Sequence, residues 1–152
     1  MIHVLITGGF GNVGTSTVEA CLKNGDIVTV LEADNPANRR RASRLMRRWA
    51  RCGIPPRIMF GDIRDPQITR KAVASQNAVI HLAAIIPPAA DRHPELAWSV
   101  NVGGTAALLA ACAEEPSKPR FVFASSVATY GDRLSNYWIK STDPLQPSPG
   151  DE

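Results

Sequence analysis

The sequence predicts an α/β fold, a doubly wound parallel sheet with helices on both faces. Three observations carry this prediction. Short apolar runs rich in β-branched residues alternate with helical patterns along the chain. The first run, Ile2 to Ile6, leads directly into a glycine turn and the start of a helix. A second run, Ile27 to Leu31, follows that helix and ends in an acidic residue, Glu32. At 152 residues the chain is one domain by length, large enough for a real core.

Taken in order, strands are predicted over Ile2–Thr7, Ile27–Leu31, Arg57–Phe60, Ala78–Leu82 and Arg120–Ala124. Helices are predicted over Val13–Asn24, Asn38–Arg51, Pro66–Ser75 and Pro94–Glu114. The first turn reads Thr7-Gly8-Gly9-Phe10-Gly11-Asn12-Val13-Gly14. Two glycine registers fit, Gly9-x-Gly11-x-x-Gly14 and Gly8-x-x-Gly11-x-x-Gly14. Gly8 lets the chain turn sharply off the strand, Gly11 lets a pyrophosphate approach the backbone, and Gly14 lets the helix pack close to the strand. Free N–H groups and the dipole at the start of that helix make an anion site. Glu32 stands eighteen residues after Gly14, where a carboxylate can accept hydrogen bonds from an adenosine ribose. Strand, glycine turn, helix, strand and acidic residue together describe a Rossmann-type dinucleotide site.

The segment Arg39–Arg51 is dense in arginine. Ala42, Leu45, Met46 and Trp49 form one apolar stripe, with Arg40, Arg44, Arg47, Arg48 and Arg51 mostly on the other side. The bland reading is a solvated helix face. Two sharper readings are Arg39 or Arg40 meeting a ribose 2′-phosphate, and a patch that binds a polyanion. Farther on, Asp65 and Pro66 read as the cap and first residue of a helix, and Asp62 ends a strand at the carboxyl edge of the sheet.

After the fourth strand, small residues in His81-Leu82-Ala83-Ala84 let a cofactor lie against backbone. His81 reads as a packed, hydrogen-bonded histidine rather than a base, and His93 lies in a proline-flanked loop. Ile85-Ile86-Pro87-Pro88 reads either as a pocket wall or as a shaped loop. The pair Gly103-Gly104 inside a helix costs about 1 kcal/mol per glycine relative to alanine, which close packing would offset. Ser125 and Ser126 end the last strand at the same edge; alone they read as turn residues, in this setting as partners of a substrate oxygen.

A net charge of +3 does not by itself argue for nucleic acid or membrane. Cys21, Cys52 and Cys112 are odd in number and far apart, so neither a disulfide framework nor a metal site is suggested. Cys21 and Cys112 read as core thiols. The first residues are strand and glycine loop rather than a signal peptide, and no apolar run is expected to approach membrane-spanning length. The expected location is the cytoplasm, and a homodimer is the assembly to test.

The motifs TGGFGNVG, Glu32, Gly61-Asp62-Ile63, His81-Leu82-Ala83-Ala84, Asn101-Val102-x-Gly-Thr and Ser125-Ser126-Val-Ala-Thr-Tyr130-Gly131 stand in order along essentially the whole chain. Together they resemble the extended short-chain dehydrogenase/reductases, the NAD-dependent epimerase/dehydratases. The resemblance implies that Gly8, Phe10, Gly11, Asn12, Val13 and Gly14 line the pyrophosphate of NAD and that Glu32 holds its adenosine ribose, with NADP the lesser alternative. It implies Asp62 and Ile63 against adenine, and Leu82, Ala83 and Ala84 along the cofactor toward the nicotinamide ribose. Asn101 would support the site, and Ser126 matches the catalytic Ser/Thr position. The implied substrate is a small molecule, by default a nucleotide sugar. The family's base is the tyrosine of a Tyr-x-x-x-Lys pair, and no such pair exists here: Tyr137-Trp-Ile-Lys140 has the wrong spacing. The chain is therefore expected to be an N-terminal part cut before that helix, lacking the last strands and the substrate domain. It would bind cofactor without turnover. The rival is a non-enzymatic dinucleotide-binding sensor or partner-binding module.

Overall fold

The computed structural model describes residues 1–131 and 138–146. Five parallel strands, β1 (His3–Thr7), β2 (Ile27–Glu32), β3 (Arg57–Phe60), β4 (Ala78–His81) and β5 (Arg120–Phe123), form one sheet in the order β3-β2-β1-β4-β5. The order reverses at β1, so the chain switches direction between β1 and β4, and the carboxyl ends of both open onto one crevice. Thr7 at the end of β1 is in register with Leu31 on one side and His81 on the other.

Alternation along β1 divides the core in two, since successive side chains point to opposite faces. Val4 and Ile6 face α1 (Asn12–Lys23) and α2 (Pro36–Trp49), packing with Val18, Leu22, Leu45 and Trp49. Leu5 faces the other layer, with Val73 of α3 (Pro66–Val73) and Leu108 and Ala111 of the long helix beyond β4. The apolar stripe of the arginine-rich helix is thus largely spent on the core: Leu45 and Trp49 are buried, and Ala42 and Met46 pack against them. The Trp49 ring lies 5.9 Å from that of Phe10.

Helix starts follow their caps. Asn35 accepts from the Asn38 backbone N–H at 2.8 Å with Pro36 in the first turn, so α2 begins two residues before the expected Asn38. Asp65 accepts from the Gln67 N–H at 2.8 Å and Pro66 opens α3, as expected. That helix ends at Val73 rather than Ser75, because Ser75 takes a left-handed φ of 61°. Between β4 and the next helix, the loop predicted around Ile85–Pro88 leads into a short helix not foreseen, α4 (Ala89–Arg92).

The expected helix Pro94–Glu114 is a continuous helical stretch of three parts. These are α5 (Pro94–Trp98), a π-helical turn (Ser99–Gly104) and α6 (Thr105–Glu114). One expectation is corrected here: by length and composition this 21-residue stretch is apolar enough to cross a membrane. Its alanine, leucine, valine and tryptophan residues outweigh its few polar ones, and Leu108, Ala111 and Cys112 on one side are in the core against α3. After β5 the chain makes a 3₁₀ turn, Val127–Tyr130, capped by Ser126. Tyr137 lies outside the described residues.

Candidate cofactor site at the carboxyl edge of the sheet

The glycine turn leaves β1 with Gly8 at a φ of +69°, a conformation that L side chains rarely adopt. A Cβ at Gly8 would also stand 2.7 Å from the Ala83 nitrogen, so the β4 loop and the β1 turn touch through backbone alone. A Cβ at Gly14 would lie 2.2 Å from the Gly8 oxygen and 2.7 Å from the Gly9 Cα. Gly14 is therefore the close-packing glycine that seats α1 on the turn. Gly11 differs from both: a Cβ there would meet only the Gly8 oxygen, at 3.3 Å, and its backbone borders an open cavity. These roles favour the register Gly8-x-x-Gly11-x-x-Gly14. Gly9 instead packs toward the Val30 side chain.

That cavity measures about 470 Å³. It runs from Gly8 and Gly11 past Glu32 to Asp62 and Ile63, and along Leu82, Ala83 and Ala84. The geometry fits a dinucleotide: bare backbone beside the first turn of a helix for the phosphates, a carboxylate for a ribose, and an apolar channel beyond. The Glu32 carboxylate accepts from the Phe10 N–H at 2.9 Å and, more distantly, from the Ala33 N–H and the Asn38 amide. Burial pushes its pKa up, against the pull of those N–H groups and of Arg41. Asp62 is gripped by Arg64, whose Nε and Nη2 donate at 3.0 and 2.6 Å while Nη1 reaches Ser99 Oγ at 3.2 Å. The Arg64 guanidinium holds the Asp62 carboxyl below its ordinary pKa.

A hydrogen-bonded chain supports the floor of the cavity. Thr7 Oγ1 accepts from the Leu82 and Ala83 N–H groups at 3.3 and 3.2 Å. Its own proton therefore goes to His81 Nδ1, 2.6 Å away. His81 Nε2 then carries the ring proton and donates to Thr105 Oγ1 at 2.9 Å, and that hydroxyl donates to the Asn101 carbonyl. The Asn101 side chain holds Ile85 from both sides, accepting from its N–H at 2.8 Å and donating to its carbonyl at 2.9 Å. His81 is packed against Phe121 and Phe123, and burial lowers its pKa. It is the hydrogen-bonded core histidine that its strand position predicts.

Gly8, Gly11, Glu32, Asp62, Ile63, Leu82, Ala83 and Ala84 are brought together around the cavity. The others fall elsewhere. The Phe10 side chain is in the core, leaving only its backbone beside the turn. Asn12 and Val13 are exposed in the first turn of α1, Gly14 is spent on packing, and Asn101 acts on the loop through Ile85. Ser126 is exposed and caps the 3₁₀ turn through the Ala128 N–H at 3.2 Å, outside the cavity lining. Sequence reasoning missed Arg64, Leu96 and Val100, which also line the cavity. For Arg64 the Asp62-x-Arg64 spacing was a usable signal. Leu96 and Val100 have none, because only the fold turns that helix toward the crevice.

A doubly wound parallel sheet with its ligand crevice at the switch point defines the class of protein. The chain belongs to the NAD dependent epimerase/dehydratase family, whose model matches residues 4–149. It is 34% identical over 137 residues to a D-erythronate dehydrogenase of Cupriavidus necator, covering 88% of this chain and 41% of that protein. It is 34% identical over 134 residues to a UDP-glucose 4-epimerase of Streptomyces lividans, covering 84% and 37%. Among solved structures, a short-chain dehydrogenase/reductase superfamily protein from Agrobacterium tumefaciens with bound NAD superposes with a TM-score of 0.72 at 30% identity, covering 96% of this chain and 39% of that one. The chain spans about two fifths of the length of these relatives.

Proposed function

We propose that this chain is the cofactor-binding part of an NAD-dependent oxidoreductase acting on a sugar-type alcohol. The observation that carries this reading is the single cavity in which Gly8 and Gly11, the Glu32 carboxylate and the Asp62-Ile63 turn meet. The α1 turn would bind the pyrophosphate through backbone N–H groups, and Glu32 would accept from the adenosine ribose hydroxyls while repelling a 2′-phosphate. Bound there, NAD supplies a hydride acceptor for a substrate alcohol carbon. A nucleotide sugar is the favoured substrate class, supported by the similarity to a UDP-glucose 4-epimerase. The similarity to a D-erythronate dehydrogenase favours a second reading, a polyhydroxy acid.

The 152-residue chain itself is proposed to bind NAD without turnover. Ser126 is a neutral hydroxyl, both His81 ring nitrogens are engaged, and the sequence has no Tyr-x-x-x-Lys pair. A general base typically supplies about 10²–10⁴-fold in rate. Calorimetric titration should show NAD binding more tightly than NADP, and Gly11→Val should abolish NAD binding in a chain that still folds. Incubation with NAD and a panel of nucleotide sugars and sugar acids should give neither NADH absorbance nor epimers. Turnover that vanishes in Ser126→Ala would show a complete active site instead.

A further inference from the structure

We propose that the cleft between α1 and the arginine face of α2 is a second anion site, distinct from the cofactor cavity, that takes a phosphoryl dianion. Helix α2 carries six arginines and no acidic residue. Its apolar stripe faces the core, and on the other side Arg41, Arg44 and Arg48 wall an open cavity of about 290 Å³ whose opposite side is Asn12, Thr15 and Ser16 of α1. That volume is roughly ten times the share of one liquid water, enough for a phosphoryl group and part of the molecule that bears it. It shares no lining residue with the cofactor cavity.

The charge in this wall is under-compensated. Arg48 is paired with Glu19. Arg44 is exposed and has no ion-pair partner among the described residues. Arg41 is half-buried, and its Nε is fully buried with no hydrogen-bond partner, while its charge acts on the Glu32 carboxylate. With Glu19 paired to Arg48 and the Glu32 carboxylate drawing on Arg41, the wall keeps more than one positive charge uncompensated, which favours a phosphoryl anion. Guanidinium forks bind phosphate oxygens in pairs and fit this role better than ammonium groups. Thr15 Oγ1 donates to the Gly11 carbonyl at 2.8 Å, so the donors open to an anion are the guanidiniums, the Asn12 amide and the exposed Ser16 hydroxyl, whose contact with the Asn12 carbonyl is long at 3.5 Å.

The dianion can come from a free phosphate or phosphate monoester, or from the 2′-phosphate of an NADP-type cofactor reaching over from the ribose end. We assign it to the free species, bound together with NAD. The test is calorimetric titration of inorganic phosphate into the NAD-saturated chain at low ionic strength, beside titrations of NAD and NADP into the same protein. Phosphate should bind with NAD present. Arg44→Glu, an exposed substitution, should weaken phosphate at least about tenfold while leaving NAD affinity and Tm unchanged, and Arg44→Lys should fall between. Absence of phosphate binding, or equal binding in Arg44→Glu, would overturn the site. An NADP preference over NAD that Arg44→Glu removes would also overturn it, by giving the arginines to the cofactor. If NAD does not bind at all, the phosphate titration of the wild type against Arg44→Glu still decides this proposal on its own.

Discussion

Glu32, half-buried, and His81, buried, are two ionisable side chains beside one cavity, and the structure holds them in opposite ways. Glu32 is a carboxylate kept in a desolvated position for which its protein partners only partly compensate, and burial raises its pKa. A group whose folded pKa lies above its unfolded value binds protons more readily in the folded state, so its contribution to stability is lost as pH rises past the unfolded value. Glu32→Gln should therefore leave Tm at neutral pH unchanged or higher, while NAD affinity falls by about 10- to 100-fold through loss of charged hydrogen bonds to the ribose. A calorimetric titration and a melting curve on the same sample check both halves. His81 is held neutral by burial, with Thr7 donating to one nitrogen and Thr105 receiving from the other. Its folded pKa lies below the ordinary value of about 6.5, so as pH falls the unfolded chain takes the proton first. Stability due to this group is present above about pH 6.5 and declines below it, by at most about 1.4 kcal/mol per pH unit, until the folded pKa is reached. Urea unfolding at pH 7.5 and 5.5 should show a larger loss in the wild type than in His81→Gln, since only the former gains that proton. Equal losses would mean that His81 takes up its proton as readily folded as unfolded.

At the scale of elements, the two adjacent glycines of the π-helical turn do different things. A Cβ at Gly103 meets nothing within 4 Å, whereas one at Gly104 would come within 2.4 Å of Ile63 Cδ1. Gly103→Ala should stabilise the chain by about 0.5–1 kcal/mol through the cost of glycine in a helix. Gly104→Ala should push Ile63 toward the cofactor cavity it lines and weaken NAD binding more than it lowers Tm. Thermal melts and NAD titrations of the two variants, side by side, separate the effects. The sequence shows only the cost of the glycine pair; which of the two packs closely depends on where α3 and its preceding turn lie, a contact between residues some forty positions apart. The same limit marks what was legible elsewhere. Strand positions could be read from apolar β-branched runs, and the start of α3 from Asp65-Pro66, because those signals are local. That the glycine turn and Glu32 would meet at one cavity could be read from the sequence because their spacing is short and stereochemically demanding. Arg64, Leu96 and Val100 were not, because they reach the cavity only through the fold. Phe10 sits in a glycine loop beside the cavity, yet its ring turns inward onto Trp49 and Phe60, a direction no spacing encodes.

For the whole molecule, the sheet sets the behaviour in solution. Its order places β5 next to β4 and, among the described residues, pairs it with no other strand. An open strand edge presents unpaired N–H and C=O groups that template pairing with another chain, and native proteins usually blunt such edges with charge. This one is apolar: Val122 is 45% and Phe123 58% exposed, and Val127 just beyond is 78% exposed. The opposite edge, β3, ends against a turn held by Arg64 and Asp62 and is shorter of exposed apolar surface. The 152-residue chain should therefore associate with itself, and through β5 rather than β3. Sedimentation velocity across a hundredfold range of concentration should show a rising weight-average mass. Val122→Lys puts a charge on the exposed face of that edge strand, on the side away from the Phe121 and Phe123 rings that pack His81. It should shift the chain toward monomer while NAD affinity stays within about twofold, since Val122 touches no cavity residue's hydrogen bonds and surface changes typically cost under about 0.5 kcal/mol. A wild-type chain that stays monomeric throughout would overturn the prediction, and association that persists in Val122→Lys would place the contact elsewhere. The alternative surface is the outer face of the long helix, where Trp98, Val102 and Leu109 are exposed. Trp98→Lys is then the variant that should dissociate it.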